Sequence, residues 1–322
     1  MTRRLYGIGA ALLLNMTMLV GCGPSATSEP AETPGKVAAP ESAGPLNVTV
    51  SILPQKYFVE RIGGERVNVN VMVEPGDNPA TYEPTSEQLK ALSGSAAYVS
   101  YGAPFEKAWM DRIAAANPEI LIVDTREGIE LMPMQAYHHS EESKHKEEQH
   151  GGEPENPDPH IFLSPRLVKI QSQTIYDALV QLNPEHKDVY RANLDSFIED
   201  IEALDEDIRA TLEGVQRRKF MVFHPAWGYF ARDYDLEMVP IEIGGQEPSP
   251  AELAALITEA REDGIKVVFA QPEFSTKAAE VIANEIGGEV LLISPLAPDW
   301  LTNMRSVANT LAEVLDQQST SS

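Results

Sequence analysis

Five of the seven histidines fall within residues 137–166. His138, His139, His145 and His150 sit among Glu and Lys, and a Gly-Gly pair then leads into Asp158-Pro159-His160. Imidazoles held loosely among carboxylates form a flexible trap for borderline ions such as zinc. Such a trap would lose affinity as its imidazoles protonate below about pH 6.5. His160 is different: bounded by Pro159 and Pro165, it offers a fixed ligand. A loose trap beside a fixed ligand points to metal capture and delivery more than to metal-dependent chemistry. The plainer reading of the loop is a solvated polar insert with no role.

A lone His beside a strand, such as His224, is ordinarily a satisfied structural group. His186, in Asn183-Pro184-Glu185-His186, reads as a surface residue. Trp109, Trp227 and Trp300 read as core or interlobe packing, because aromatic rings mainly supply buried area. A zinc hydrolase would need three protein ligands, an open position and a general base. No His-Glu-x-x-His pattern and no Gly-x-Ser-x-Gly elbow occurs, and the expectation is that the chain is not an enzyme.

The elements that must position these residues belong to a chain of 322 residues, 43% hydrophobic, enough for two lobes with separate cores. Its net charge of −24 argues against nucleic acid as a partner, since phosphate binding needs a basic surface. Arg3 and Arg4 precede an apolar segment, residues 5–20, too short for an ordinary membrane span. Residues 1–22 therefore read as a targeting leader. Leu19-Val20-Gly21-Cys22 resembles the lipobox of bacterial lipoproteins, which implies cleavage before Cys22 and lipidation of its thiol. An ordinary secretory leader with an incidental Cys is the alternative. Cys22 is the only cysteine, which excludes a disulfide framework. Residues 23–45, rich in Ala, Pro, Ser, Glu and Gly, read as a disordered tether. The expected mature protein is exported, anchored by lipid and otherwise soluble.

From residue 46 onward strand and helix signals alternate. Residues 47–50, 67–73, 97–100 and 120–124 read as strands, with helices at 55–62, after Thr85, and at 105–115. Thr85 with Gln88, and Ser249 with Glu252, form capping boxes, and Ser164-Pro165 opens another helix. A helical run ending near 216 is long enough to act as a strut between lobes. Beyond it, strands at 219–223, 238–243, 267–270 and 289–293 alternate with helices around Tyr229, after Ser249, at 276–286 and at 303–315. The expected fold class is α/β: two βα lobes with mostly parallel sheets joined by a long backbone helix. The lobes span 46–165, including the His-rich loop 137–157, and 218–322, with linking helices over 166–217.

Four motifs carry a family resemblance. They are Gly76-Asp77-Asn78-Pro79-Ala80-Thr81-Tyr82-Glu83-Pro84, then Asp158-Pro159-His160-Ile161-Phe162-Leu163-Ser164-Pro165, then Phe223-His224-Pro225-Ala226-Trp227-Gly228-Tyr229-Phe230, and Ser294-Pro295-Leu296. In this order, after a lipobox and around a His-rich loop, the chain resembles the zinc- and manganese-binding lipoproteins of bacterial ABC importers, the cluster of substrate-binding proteins with a rigid helical backbone. The resemblance implies a divalent metal, zinc ahead of manganese, bound between the lobes as transported ligand. It implies delivery to an ABC permease and its ATPase, at the periplasmic or outer face of the membrane, by a monomer whose lobes move little. His160 and His224 match the family's ligand positions. Its first-lobe His position is Ala80 here, and the Asp before Pro-Leu is Ser294. Completion of the shell is open among a loop imidazole, Glu83, Glu247, Glu273, Asp299, Ser294 and water. The alternative function is a metal buffer, sensor or adhesion-type surface lipoprotein whose cleft no longer serves transport.

Overall fold

Strands covered by helices on both faces need apolar side chains on both faces, so they read as short continuous apolar runs. The computed structural model, which describes residues 44–135, 154, 156–243 and 245–320, shows eight strands, of which 97–100 and 267–270 are buried throughout in this way. The leader, Cys22, the tether up to residue 43, and His138, His139, His145 and His150 lie outside the described residues. Strands β1 (Leu46–Val50), β2 (Val67–Val71), β3 (Ala97–Ser100) and β4 (Leu121–Asp124) form a parallel sheet in the order β2-β1-β3-β4. Strands β5 (Lys219–Val222), β6 (Glu237–Pro240), β7 (Val267–Ala270) and β8 (Glu289–Leu292) repeat that order, β6-β5-β7-β8, again parallel. The two α/β lobes read from the alternating pattern are therefore present. In both sheets the order in which strands are laid down reverses between the two central strands, the place where open α/β sheets leave a crevice for ligands.

The helices of the first half are α1 (Leu53–Gly63), α2 (Ser86–Ser93), α3 (Pro104–Ala116), α4 (Pro165–Leu182) and α5 (Lys187–Leu212). Those of the second are α6 (Gly228–Asp233), α7 (Pro250–Glu262), α8 (Lys277–Ile286) and α9 (Trp300–Thr320). Their starts follow from local chemistry. Gln88 N donates to Thr85 Oγ1 at 3.3 Å while Thr85 N donates to Gln88 Oε1 at 3.0 Å. Ser249 and Glu252 reciprocate in the same way, and Ser164 Oγ accepts from Leu167 N at 3.1 Å.

The strut is α5, 26 residues and about 39 Å long. Leu194, Phe197, Ile201, Leu204, Ile208 and Leu212 form its buried stripe, at spacings of three and four. It packs against α1, α4 and α9, and its side chains share one core with Val48 and Val99 of the first sheet and Phe220 and Phe269 of the second. Opening a hinge between the lobes would have to disrupt that shared core. Among the described residues no helix is long and apolar enough to cross a membrane.

Two expectations are corrected. His186 is not a surface residue: the turn before α5 tucks its ring edge-on against Tyr190, leaving 14% of the side chain exposed. The last helix begins three residues earlier than its pattern suggested, because Asp299 caps it, accepting from Thr302 N at 3.2 Å. Trp227 and Trp300 are fully buried, as read, whereas Trp109 is only partly so. Trp300 also donates its indole N–H to Phe162 O at 2.7 Å, tying α9 to the short 3-10 turn (His160–Leu163) that carries His160.

Candidate metal centre

Past the carboxyl end of each strand of the second sheet stands a polar residue in or beside one crevice. His224 follows β5, Glu242 follows β6, Gln271 and Glu273 follow β7, and Ser294 follows β8. From the first lobe the loop after β2 contributes Asn78 to Thr81, and the segment after β3 contributes Tyr101 and Gly102. These walls enclose a cavity of about 510 Å³ in which His160 and His224 face each other.

Each imidazole is oriented by its own carboxylate. His160 Nδ1 lies 2.7 Å from Asp158 Oδ1, and His160 N donates to the same oxygen at 2.9 Å. His224 Nδ1 lies 2.5 Å from Glu242 Oε2. A carboxylate only accepts, so each Nδ1 carries the proton and each Nε2 keeps its lone pair. The two Nε2 atoms are 3.3 Å apart, and the rings meet at 75°. Two nitrogens bound to one tetrahedral zinc at about 2.0–2.1 Å are themselves about 3.3–3.4 Å apart. The pair is thus spaced as one edge of a zinc tetrahedron.

The supports of this pair are buried. Asp158 is fully enclosed, and Tyr229 Oη donates to its carbonyl at 3.0 Å while accepting from Met132 N at 2.9 Å. Gln271 clamps the other side: His224 N donates to Gln271 Oε1 at 3.1 Å, and Gln271 Nε2 donates to His224 O at 2.8 Å. The Phe274 ring lies on the His224 imidazole, 4.3 Å away and tilted by 17°. Burial, reinforced by the neighbouring His160, holds the His224 pKa below the ordinary imidazole value, against the pull of Glu242. A neutral imidazole is the form that binds a metal.

The other sequence candidates divide. Glu247, Glu273 and Ala80 line the cavity, and Ser294 reaches it through Glu273, donating to Glu273 Oε1 at 3.2 Å. Glu83 does not line it. It is exposed over a neighbouring depression, because the loop is anchored by Tyr82 packing edge-on against Phe105. Asp299 is an exposed helix cap outside the lining. Among the described residues no group of three or more His, Cys, Asp or Glu side chains is gathered as it would be around one ion. Sequence reasoning missed Glu242, Gln271 and Phe274. For Glu242 there was a signal, an isolated carboxylate in the apolar run Val239–Ile243 just past a strand.

The family model described as zinc-uptake complex component A, periplasmic, matches residues 48–314. The high-affinity zinc uptake system protein ZnuA of Bacillus subtilis (strain 168) is 28% identical over 296 residues, 91% of this chain and 88% of that protein. A crystal structure of ZnuA is 44% identical and superposes with a TM-score of 0.76, over 84% of this chain and 99% of that one. A 138–173 deletion mutant of ZnuA with zinc bound gives the same identity and TM-score, over 84% of this chain and 98% of that one.

Proposed function

Because the chain belongs to the family of periplasmic A components of zinc-uptake complexes, we propose that His160 and His224 seat one zinc ion as cargo between the lobes. Proteins of this family work with an ABC permease and its ATPase, and the reading is that this chain hands its ion to such a permease. The observation that carries the site is the 3.3 Å edge between the two Nε2 atoms, each freed for coordination by a carboxylate on Nδ1.

The physical logic is charge as well as geometry. Asp158 and Glu242 are buried carboxylates, each set against the Nδ1 of an imidazole. A dication between the imidazoles offsets both charges in a place where unpaired charge is costly. Carboxylate partners also raise the basicity of the imidazoles, which strengthens each nitrogen as a donor to the ion. The core shared by both lobes and α5 favours capture with little change in lobe geometry. Export, lipid anchoring through Cys22 and a monomeric state complete the proposal, and membership of an uptake family favours transport over a buffer, sensor or adhesion role.

Competitive zinc titration of chelator-stripped protein tests the site. His160→Ala and His224→Ala are expected to lower affinity by more than about 100-fold, beyond what orienting residues alone contribute. His186→Ala, remote from the cleft, should bind as the parent does. Equal affinities for all three variants would remove His160 and His224 from the site.

A further inference from the structure

Two imidazoles occupy two vertices of a tetrahedron and leave two open. Glu242 is committed to His224 Nδ1, which leaves Glu247 and Glu273 as the cavity's remaining carboxylates from the second lobe. Glu247 is exposed, so water solvates its charge and it gains little from a cation. Glu273 is half-buried. Its Oε2 is enclosed and has no hydrogen-bond partner among the described residues, while its Oε1 accepts from Ser294 Oγ at 3.2 Å. A buried carboxylate oxygen with no partner costs free energy until one arrives.

Its place in the chain couples it to the His pair. Glu273 lies between Gln271, which clamps the His224 backbone from both sides, and Phe274, which lies on the His224 ring. One short loop after β7 therefore holds the imidazole and carries the unpartnered carboxylate. Ser294, from the neighbouring strand end after β8, holds the other oxygen of that carboxylate. Burial also pushes the Glu273 pKa above the usual carboxylate range.

We propose that Glu273 is the third protein ligand, binding the ion through Oε2 while Ser294 Oγ retains Oε1. This rests on the His160–His224 pair being the ion's seat. The carboxylate reaches the ion by rotating about its own side-chain bonds. The result is a shell of two imidazoles and one carboxylate, with water at the fourth vertex. Ser294 is then a positioning residue for a ligand carried on the adjacent loop. Such a mixed nitrogen and oxygen shell suits zinc and admits harder divalent ions better than a shell of imidazoles alone.

The test compares Glu273→Gln, Glu273→Asp and Ser294→Ala with His160→Ala in the chelator-stripped protein. Zinc affinity comes from competition with a chromophoric chelator, and the coordination sphere from the visible absorption of bound cobalt(II). Glu273→Gln is expected to lose more than about tenfold in affinity and to shift the cobalt bands. Ser294→Ala should lose less and keep the bands. Melting curves of the apo variants check that each is folded, and if Glu273→Gln melts early the cobalt bands of Glu273→Asp decide. Unchanged affinity and unchanged bands in the folded Glu273 variants, with His160→Ala impaired, would overturn the assignment. If His160→Ala also binds normally, the seat itself is wrong and this inference goes with it.

Discussion

Gly228 leaves room for the carboxylate of Asp158: a Cβ at position 228 would lie 2.9 Å from Asp158 Oδ2, closer than real side chains approach. A second-lobe residue thus sets the space for the group that aims the imidazole of His160. Gly228→Ala should displace Asp158 and rotate His160 away from His224. The expected outcome is a loss of about 10–100-fold in zinc affinity, the scale of disturbed supporting contacts. Overpacking should also cost about 1–3 kcal/mol of stability. Parent-like zinc binding by a destabilised Gly228→Ala protein would mean that Asp158 shifts without turning His160.

Asp158→Asn and Glu242→Gln keep the size of each orienting side chain and remove its charge. An amide can present its N–H₂ to Nδ1 and so favour the opposite tautomer, which takes the lone pair away from Nε2. Each variant should bind zinc about 10–100-fold more weakly, while both stay folded. Imidazole nitrogen shifts by NMR read the tautomer directly, and an unchanged tautomer would refute this account of the carboxylates.

Glu106 provides a prediction about pH that is separate from the metal. It is buried behind Tyr101 and Gly102, accepting N–H bonds from residues 101, 102 and 103 and an O–H bond from Ser51 at 2.5 Å. Burial outweighs these bonds and pushes its pKa up to about 7 from 4.5. A folded-state pKa above the unfolded value favours the folded state fully below about pH 4.5, and that advantage disappears as pH rises through 7. The shift corresponds to roughly 3 kcal/mol. Urea denaturation of the parent and Glu106→Gln at several pH values should show their stability difference changing by about that amount between pH 4.5 and 8. A constant difference would mean that Glu106 titrates as an ordinary carboxylate.

The His-rich loop gives a stoichiometry test. Deleting residues 137–151 should remove weak additional zinc sites and leave one tight site per chain, counted by titration with metal analysis. Loss of the tight site with the loop would instead make a loop imidazole part of its shell.

The sequence by itself determined the elements, because their signals are local. Capping boxes at Thr85 and Ser249, the Ser164-Pro165 start and the buried runs of β3 and β7 depend on neighbours a few residues away. Where signals were less local the boundaries moved. The apolar run at 238–243 outlasts β6, which ends at Pro240, and α5 stops at Leu212 rather than near 216. The motifs singled out His160 and His224 but said nothing of how close they come, since they lie 64 positions apart. Only the tertiary structure decided that spacing, the tautomer set by Glu242, the exclusion of Glu83 and Asp299 from the cleft, and the half-burial of Glu273. Each depends on which strand ends and loops meet across two sheets, and that is settled by the packing of both lobes on α5 rather than by any one stretch of chain.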